Sequence, residues 1–151
     1  MADDATTTIQ ATVLPDEIAK TISATMTVTP ADANDKWYYK KTSVSNTGSE
    51  DLIEGYFLDY TSVDNDTAPT AVHDNDKIKF LFIKNVDTNS RSIYICFDGG
   101  TASSSLADGV TIGPNEAFAA RIPNTTVANL HGISSASTAE VIVAALIDDV
   151  A

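Results

Sequence analysis

The chain has 151 residues, with 21 acidic side chains, 9 basic ones and a formal net charge of −12. That length suits one domain with its own core, and so negative a surface argues against nucleic acid or an anionic membrane as partner. No apolar run approaches the length of a membrane span, the start MADDATTTIQ has neither the basic nor the apolar region of a secretory signal, and the single Cys96 excludes an internal disulfide framework.

In chain order, residues 1–8 read as a flexible N-terminal segment. Residues 11–20 are ambiguous: Pro15 could open a single helical turn with Asp16 and Glu17 at its positive end. In 21–30, Ile22, Ala24, Met26 and Val28 alternate with Ser23, Thr25, Thr27 and Thr29. This period of two predicts a strand with one buried and one wet face. Pro30 and residues 31–35 end it, 37–45 form the next strand, and 46–51 form a turn. Residues 52–63 are apolar and aromatic around Gly55, which predicts a strand with a bulge or bend. Residues 64–76 make the longest polar loop.

From Asp76 onward, strand and turn signals alternate. Strands are expected at 79–86, 92–97, 109–116, 117–123 and 139–149, with Gly, Pro, Asn and Asp between them. Short strands at regular spacing without a convincing helix predict an all-β, single-domain antiparallel sandwich.

Chemistry-bearing residues are sparse. Two Asp-Asn-Asp triplets place Asp64, Asp66, Asp74 and Asp76 in the polar loop, a weak calcium candidate. They lack the glycine and distal glutamate of an EF-hand, and solvated turns explain them better. His73 falls in the same loop, and His131 beside Gly132 reads as part of a turn. No nucleophile elbow and no zinc spacing accompany either histidine. Cys96 reads as a small buried hydrophobe with no neighbouring base or cation to activate it. The expectation is a protein that is not an enzyme and needs no cofactor.

Two segments read as interfaces. Lys36-Trp37-Tyr38-Tyr39-Lys40-Lys41 gathers the only tryptophan and three of the nine basic residues. Aromatics favour interfaces and the lysines favour an acidic partner, while an ordinary strand with a lysine rim explains the segment about as well. Trp37 and Tyr39 share one strand face, Tyr38 and Lys40 the other; Tyr38 is the expected anchor at the partner. In the last strand, Val141, Val143, Ala145 and Ile147 share one face, and Ile142, Ala144 and Leu146 the other. Both faces are apolar, so both should be covered, and another subunit is the expected cover at Ile142 and Leu146.

The phrases at 13–44, 82–100 (FIKNVDTNSRSIYICFDGG), 109–123 (GVTIGPNEAFAARIP) and 139–147 (AEVIVAALI) resemble small β-sandwich structural proteins of tailed bacteriophages, most nearly capsid decoration or cement proteins. The resemblance implies a jelly-roll-like virion component on the capsid exterior that binds the major capsid protein, often as a trimer, and is made in the host cytoplasm. It carries no catalytic residue. Related sandwiches serve in tails and fibres, so a host-recognition, carbohydrate-binding module is the alternative.

Overall fold

The computed structural model describes residues 4–13, 20–58, 70–104 and 109–150. Every strand pairing among them is antiparallel. The chain divides into two compact units, 1–32 and 33–151.

The first unit is a two-stranded ribbon, β1 (Ala5–Val13) against β2 (Lys20–Val28), in unbroken register from Ala5↔Val28 to Val13↔Lys20. β-branched residues at most positions explain why it is extended. Strand β1 begins inside the segment read as a loose N-terminus. The alternation of 21–30 holds, but its expected burial does not: Ile22 is 61% exposed and Ala24 is exposed, with cover only at Met26 and Val28. Periodicity tells which residues share a face; it does not supply what covers them. The helical turn considered around Pro15 lies outside the described residues.

The second unit is a β-sandwich. Its strands are β3 (Asp35–Val44), β4 (Glu50–Asp51), β5 (Lys77–Asn85), β6 (Ile93–Cys96), β7 (Val110–Ile112), β8 (Ala117–Ala120), β9 (Thr125–Thr126), β10 (His131–Ser134) and β11 (Ala139–Asp148). A 3₁₀ turn covers Val127–Asn129. One sheet has the order β4-β10-β6-β7 and the other β3-β11-β5-β8, with β9 beside β5. The core between them is aliphatic: Ile78, Leu81, Ile83, Val141, Val143, Ala145 and Ile147 from one sheet meet Ile93, Ile95 and Ile112 from the other.

Residues 52–58 depart from the strand expected of them. Gly55 takes φ +96°, which turns the chain out of the extended path. Their backbone is tied down piecemeal: Leu58 N–H donates to Trp37 O (2.8 Å), and Tyr56 bridges Ala71. Leu52, Ile53 and Phe57 still enter the core.

The loop after β5 is held by side chains. Buried Asn85 donates through Nδ2 to the carbonyls of Arg91 (2.7 Å) and Ile112 (3.2 Å), and its Oδ1 accepts from Asp87 N–H. Asp87 accepts from the backbone N–H groups of Asn89 and Arg91 and pairs with the Arg91 guanidinium at 3.0 Å. Burial disfavours its charge, but those N–H groups and the guanidinium outweigh it and hold the Asp87 pKa below the ordinary value. A lowered carboxylate pKa adds stability above the unfolded value, about 3.9, and that stability is lost as pH falls through the folded value. Melting curves at descending pH should therefore show wild type losing more stability below about pH 4 than Asp87→Asn. Parallel losses in the two proteins would contradict the assignment.

Candidate binding surface

The alternation in β3, β11, β5 and β8 that fills the core also builds an outer face. The first row across it is Trp37, Leu146 and Phe80. The Trp37 and Phe80 rings meet edge-on, with centroids 6.5 Å apart, above the strand that carries Leu146. Leu146 is thereby 1% exposed. The second row is Tyr39, Ala144, Phe82 and Ala119; the third is Lys41, Ile142, Lys84 and Ala117. Tyr39 is 54% exposed, while Phe82, Ala144, Ile142 and Lys84 are half-buried. Lys41 pairs with Glu140 at 2.5 Å, both well exposed, and Lys84 has no ion pair among the described residues. Beyond the first row, Lys79 bridges Asp35 and Asp148. Its pKa is raised, first by the hydrogen bond to Asp35, although burial opposes this.

Charge is unevenly divided between the sheets. Lys36, Lys40 and Lys41 lie on β3 and Lys77, Lys79 and Lys84 on β5, against Asp35 on β3 and Glu140 and Asp148 on β11. The strands of the other sheet hold no lysine or arginine and carry Glu50 and Asp51.

The two expected interface segments are thus re-sorted. Tyr38, expected to anchor a partner, is a core residue, 1% exposed. Its hydroxyl donates to Glu54 O (3.1 Å) and accepts from Glu54 N–H (3.2 Å), and burial raises its pKa. Lys40 shares that side and turns its Nζ toward Glu54 O, at 3.5 Å. Trp37, Tyr39 and Lys41 instead face outward, where Ile142 joins them. Leu146 is covered within the chain and offers nothing to a second subunit.

The calcium candidates divide. Asp64 and Asp66 lie outside the described residues. Asp74 is exposed, and its backbone carbonyl accepts from Ala128 N–H. The fully buried Asp76 spends its carboxylate on backbone, accepting from His73 N–H (2.8 Å) and Val150 N–H (3.1 Å). Among the described residues no group of three or more His, Cys, Asp or Glu side chains is placed to hold a metal.

His131, expected in a turn, lies on β10, opposite Asp51 of β4 on one side and Cys96 of β6 on the other. Sequence spacing could not reveal this, because the three residues meet only through strand register. The cluster looks like a nucleophile–base–acid array, but its hydrogen bonds point the wrong way. Cys96 Sγ donates to Gly100 O (3.0 Å), and His131 Nδ1 lies 2.8 Å from the same oxygen. A carbonyl only accepts, so thiol and imidazole both donate to it and neither relieves the other of a proton. His131 Nε2 faces Asp51 Oδ1 at 3.0 Å. Burial first, and the Asp98 carboxylate with it, raise the Cys96 pKa against its backbone hydrogen bonds. The arrangement fastens the 98–100 loop to the sheet and keeps the sulfur a thiol.

No family model, no curated protein and no solved structure matches the chain.

The buried thiol should be inert. A maleimide or dithio reagent at neutral pH should label Cys96 slowly in native protein and at once in denaturant. Equal rates in both would contradict the burial of the sulfur and its hydrogen bond.

Proposed function

We propose that the chain is a non-enzymatic structural protein of a bacteriophage virion, bound to the outside of the head, where it bridges neighbouring major capsid subunits. Three things support this. One is the resemblance carried by the segments from 13 to 147. Another is strand order: counting β3–β8, β10 and β11 as strands one to eight, the sheets run 1-8-3-6 and 2-7-4-5, the order expected of a jelly roll. The observation that carries the reading is the outer face of the five-stranded sheet. Exposed Tyr39, with Ile142 and Phe82 beside it, Lys84 at its side and Lys41 paired to Glu140 at its edge, is an aromatic patch with a lysine that has no ion pair among the described residues, on a chain of net charge −12.

Such a patch suits a protein partner offering an apolar contact and a carboxylate. A bound protein that recognises only the assembled lattice shifts assembly toward the closed shell. Many equivalent copies add avidity, and self-association, as a trimer in the resembled family, would multiply it. A host-glycan-binding role in a tail or fibre is the second reading, favoured by the exposure of Tyr39 and Tyr56. A glycan titration of the purified protein separates the two.

The docking test uses particles that lack the protein, mixed with purified variants and sedimented. Tyr39→Ala should cost about 1–2 kcal/mol of binding, as a hot spot does. Lys84→Glu should weaken binding mainly at low salt, because exposed charge pairs are screened as ionic strength rises. Wild-type occupancy for both variants at both salt levels would exclude this face as the contact.

A further inference from the structure

We infer that the β1–β2 ribbon is a self-docking element, whose apolar face packs two-fold against the same face of a second copy of this chain. The ribbon's two faces differ sharply. One presents Thr6, Thr8, Gln10 and Thr12 opposite Thr27, Thr25, Ser23 and Thr21, with hydroxyls in contact at Thr8–Thr25 (3.4 Å) and Thr12–Thr21 (3.3 Å). The other pairs Ala5 with Val28, Thr7 with Met26, Ile9 with Ala24, Ala11 with Ile22 and, at its end, Val13 with Lys20. Its cover decreases along the ribbon: Val28 is buried, whereas Ile9 is 51% and Ile22 61% exposed. An isolated two-stranded ribbon is marginal in water, and an uncovered apolar face is what a partner would complete.

Two features point to a second copy as that partner. The first is shape. Across the strands Ile9 stands beside Ala24, and Ala11 beside Ile22, so large and small side chains form a checkerboard. Turning one ribbon onto another about a dyad parallel to the strands sets Ile9 over the mate's Ala24 position and Ile22 over its Ala11 position. A dyad across the strands sets Ile9 over Ala11 and Ile22 over Ala24. Either way each isoleucine meets an alanine, the self-complementarity a two-fold interface requires. The second is charge. Of the residues paired in the ribbon only Lys20 is charged, at the end of this face, so two copies of this highly acidic chain can meet here without opposing carboxylates. Area limits the strength of the pairing. The ribbon's open part, the six pairs from Thr8↔Thr25 to Val13↔Lys20, at about 3.4 Å per residue on a ribbon about 10 Å wide, offers about 200 Å² per copy, or about 400 Å² for two. That is less than the ~1,000 Å² of a firm free-standing interface, so the pairing is weak in dilute solution and strengthens where copies are held close. The inference is independent of the capsid reading, because its test uses purified protein alone.

Analytical ultracentrifugation of the full chain, from about 10 µM to ~1 mM at low and high salt, tests it. Wild type should associate reversibly, and more strongly at high salt, where the repulsion between acidic chains is screened. The double variant Ile9→Thr/Ile22→Thr keeps β-branched residues, so the ribbon persists, and should lose at least about tenfold in association constant. Ala24→Ile adds apolar surface but fills the socket, and should weaken association as well. Wild type that stays monomeric throughout, association unchanged in the double variant, or stronger association in Ala24→Ile would each overturn the inference.

Discussion

The sandwich depends on how β11 is placed. It runs through the middle of the five-stranded sheet, pairing with β3 from Ala139 to Asp148 and with β5 from Val141 to Asp148. Val141, Val143, Ala145 and Ile147 are fully buried and form the centre of the core. Its other face is apolar too, so hydrophobicity alone would tolerate a one-residue slip that exchanged the faces. Charges at the two ends of the strand oppose that slip. Glu140 pairs with Lys41, Asp148 with Lys79, and Asp149 with Lys36 at 2.5 Å. Each exposed pair contributes little to stability, but a slipped register would lose them together.

This register determines the character of the outer face. With Val143 and Ala145 inward, Ile142 and Ala144 turn out and lie beside Tyr39, Phe82 and Lys84. The same parity places Tyr38 in the core, with its hydroxyl closing on Glu54. One strand thereby separates an aromatic that holds the fold together from one left open to a partner. In the sheet opposite, Asp51, His131 and Cys96 stand side by side under the 98–100 loop, and the Cys96 thiol is not activated.

The elements were largely legible in the sequence. The strands around 37–45, 79–86, 92–97 and 139–149 appear close to where turn residues and alternation put them, because those signals are local. What was not legible depends on distant neighbours. The parity of Trp37, Tyr38 and Tyr39 could be read, but with aromatics on both sides nothing local says which side is core. His131 looked like a turn residue beside Gly132; its place on a strand follows from pairing with residues 35 and 80 positions away along the chain. The 52–58 stretch has strand composition, yet the positive φ at Gly55 takes it out of the sheet. Asp76 looked like a solvated loop acid and is instead a buried acceptor for two backbone N–H groups. The ribbon reverses the usual lesson: its alternation was plain, but an amphipathic strand still needs a cover that no sequence period provides.

The contact proposed for this chain is the outer face of the five-stranded sheet. Electron microscopy of an intact particle carrying this chain would locate that face. The expected result is the sandwich on the capsid exterior, with Tyr39, Ile142 and Lys84 against major capsid subunits. A particle in which that face is turned to solvent, while another surface makes the contact, would contradict it.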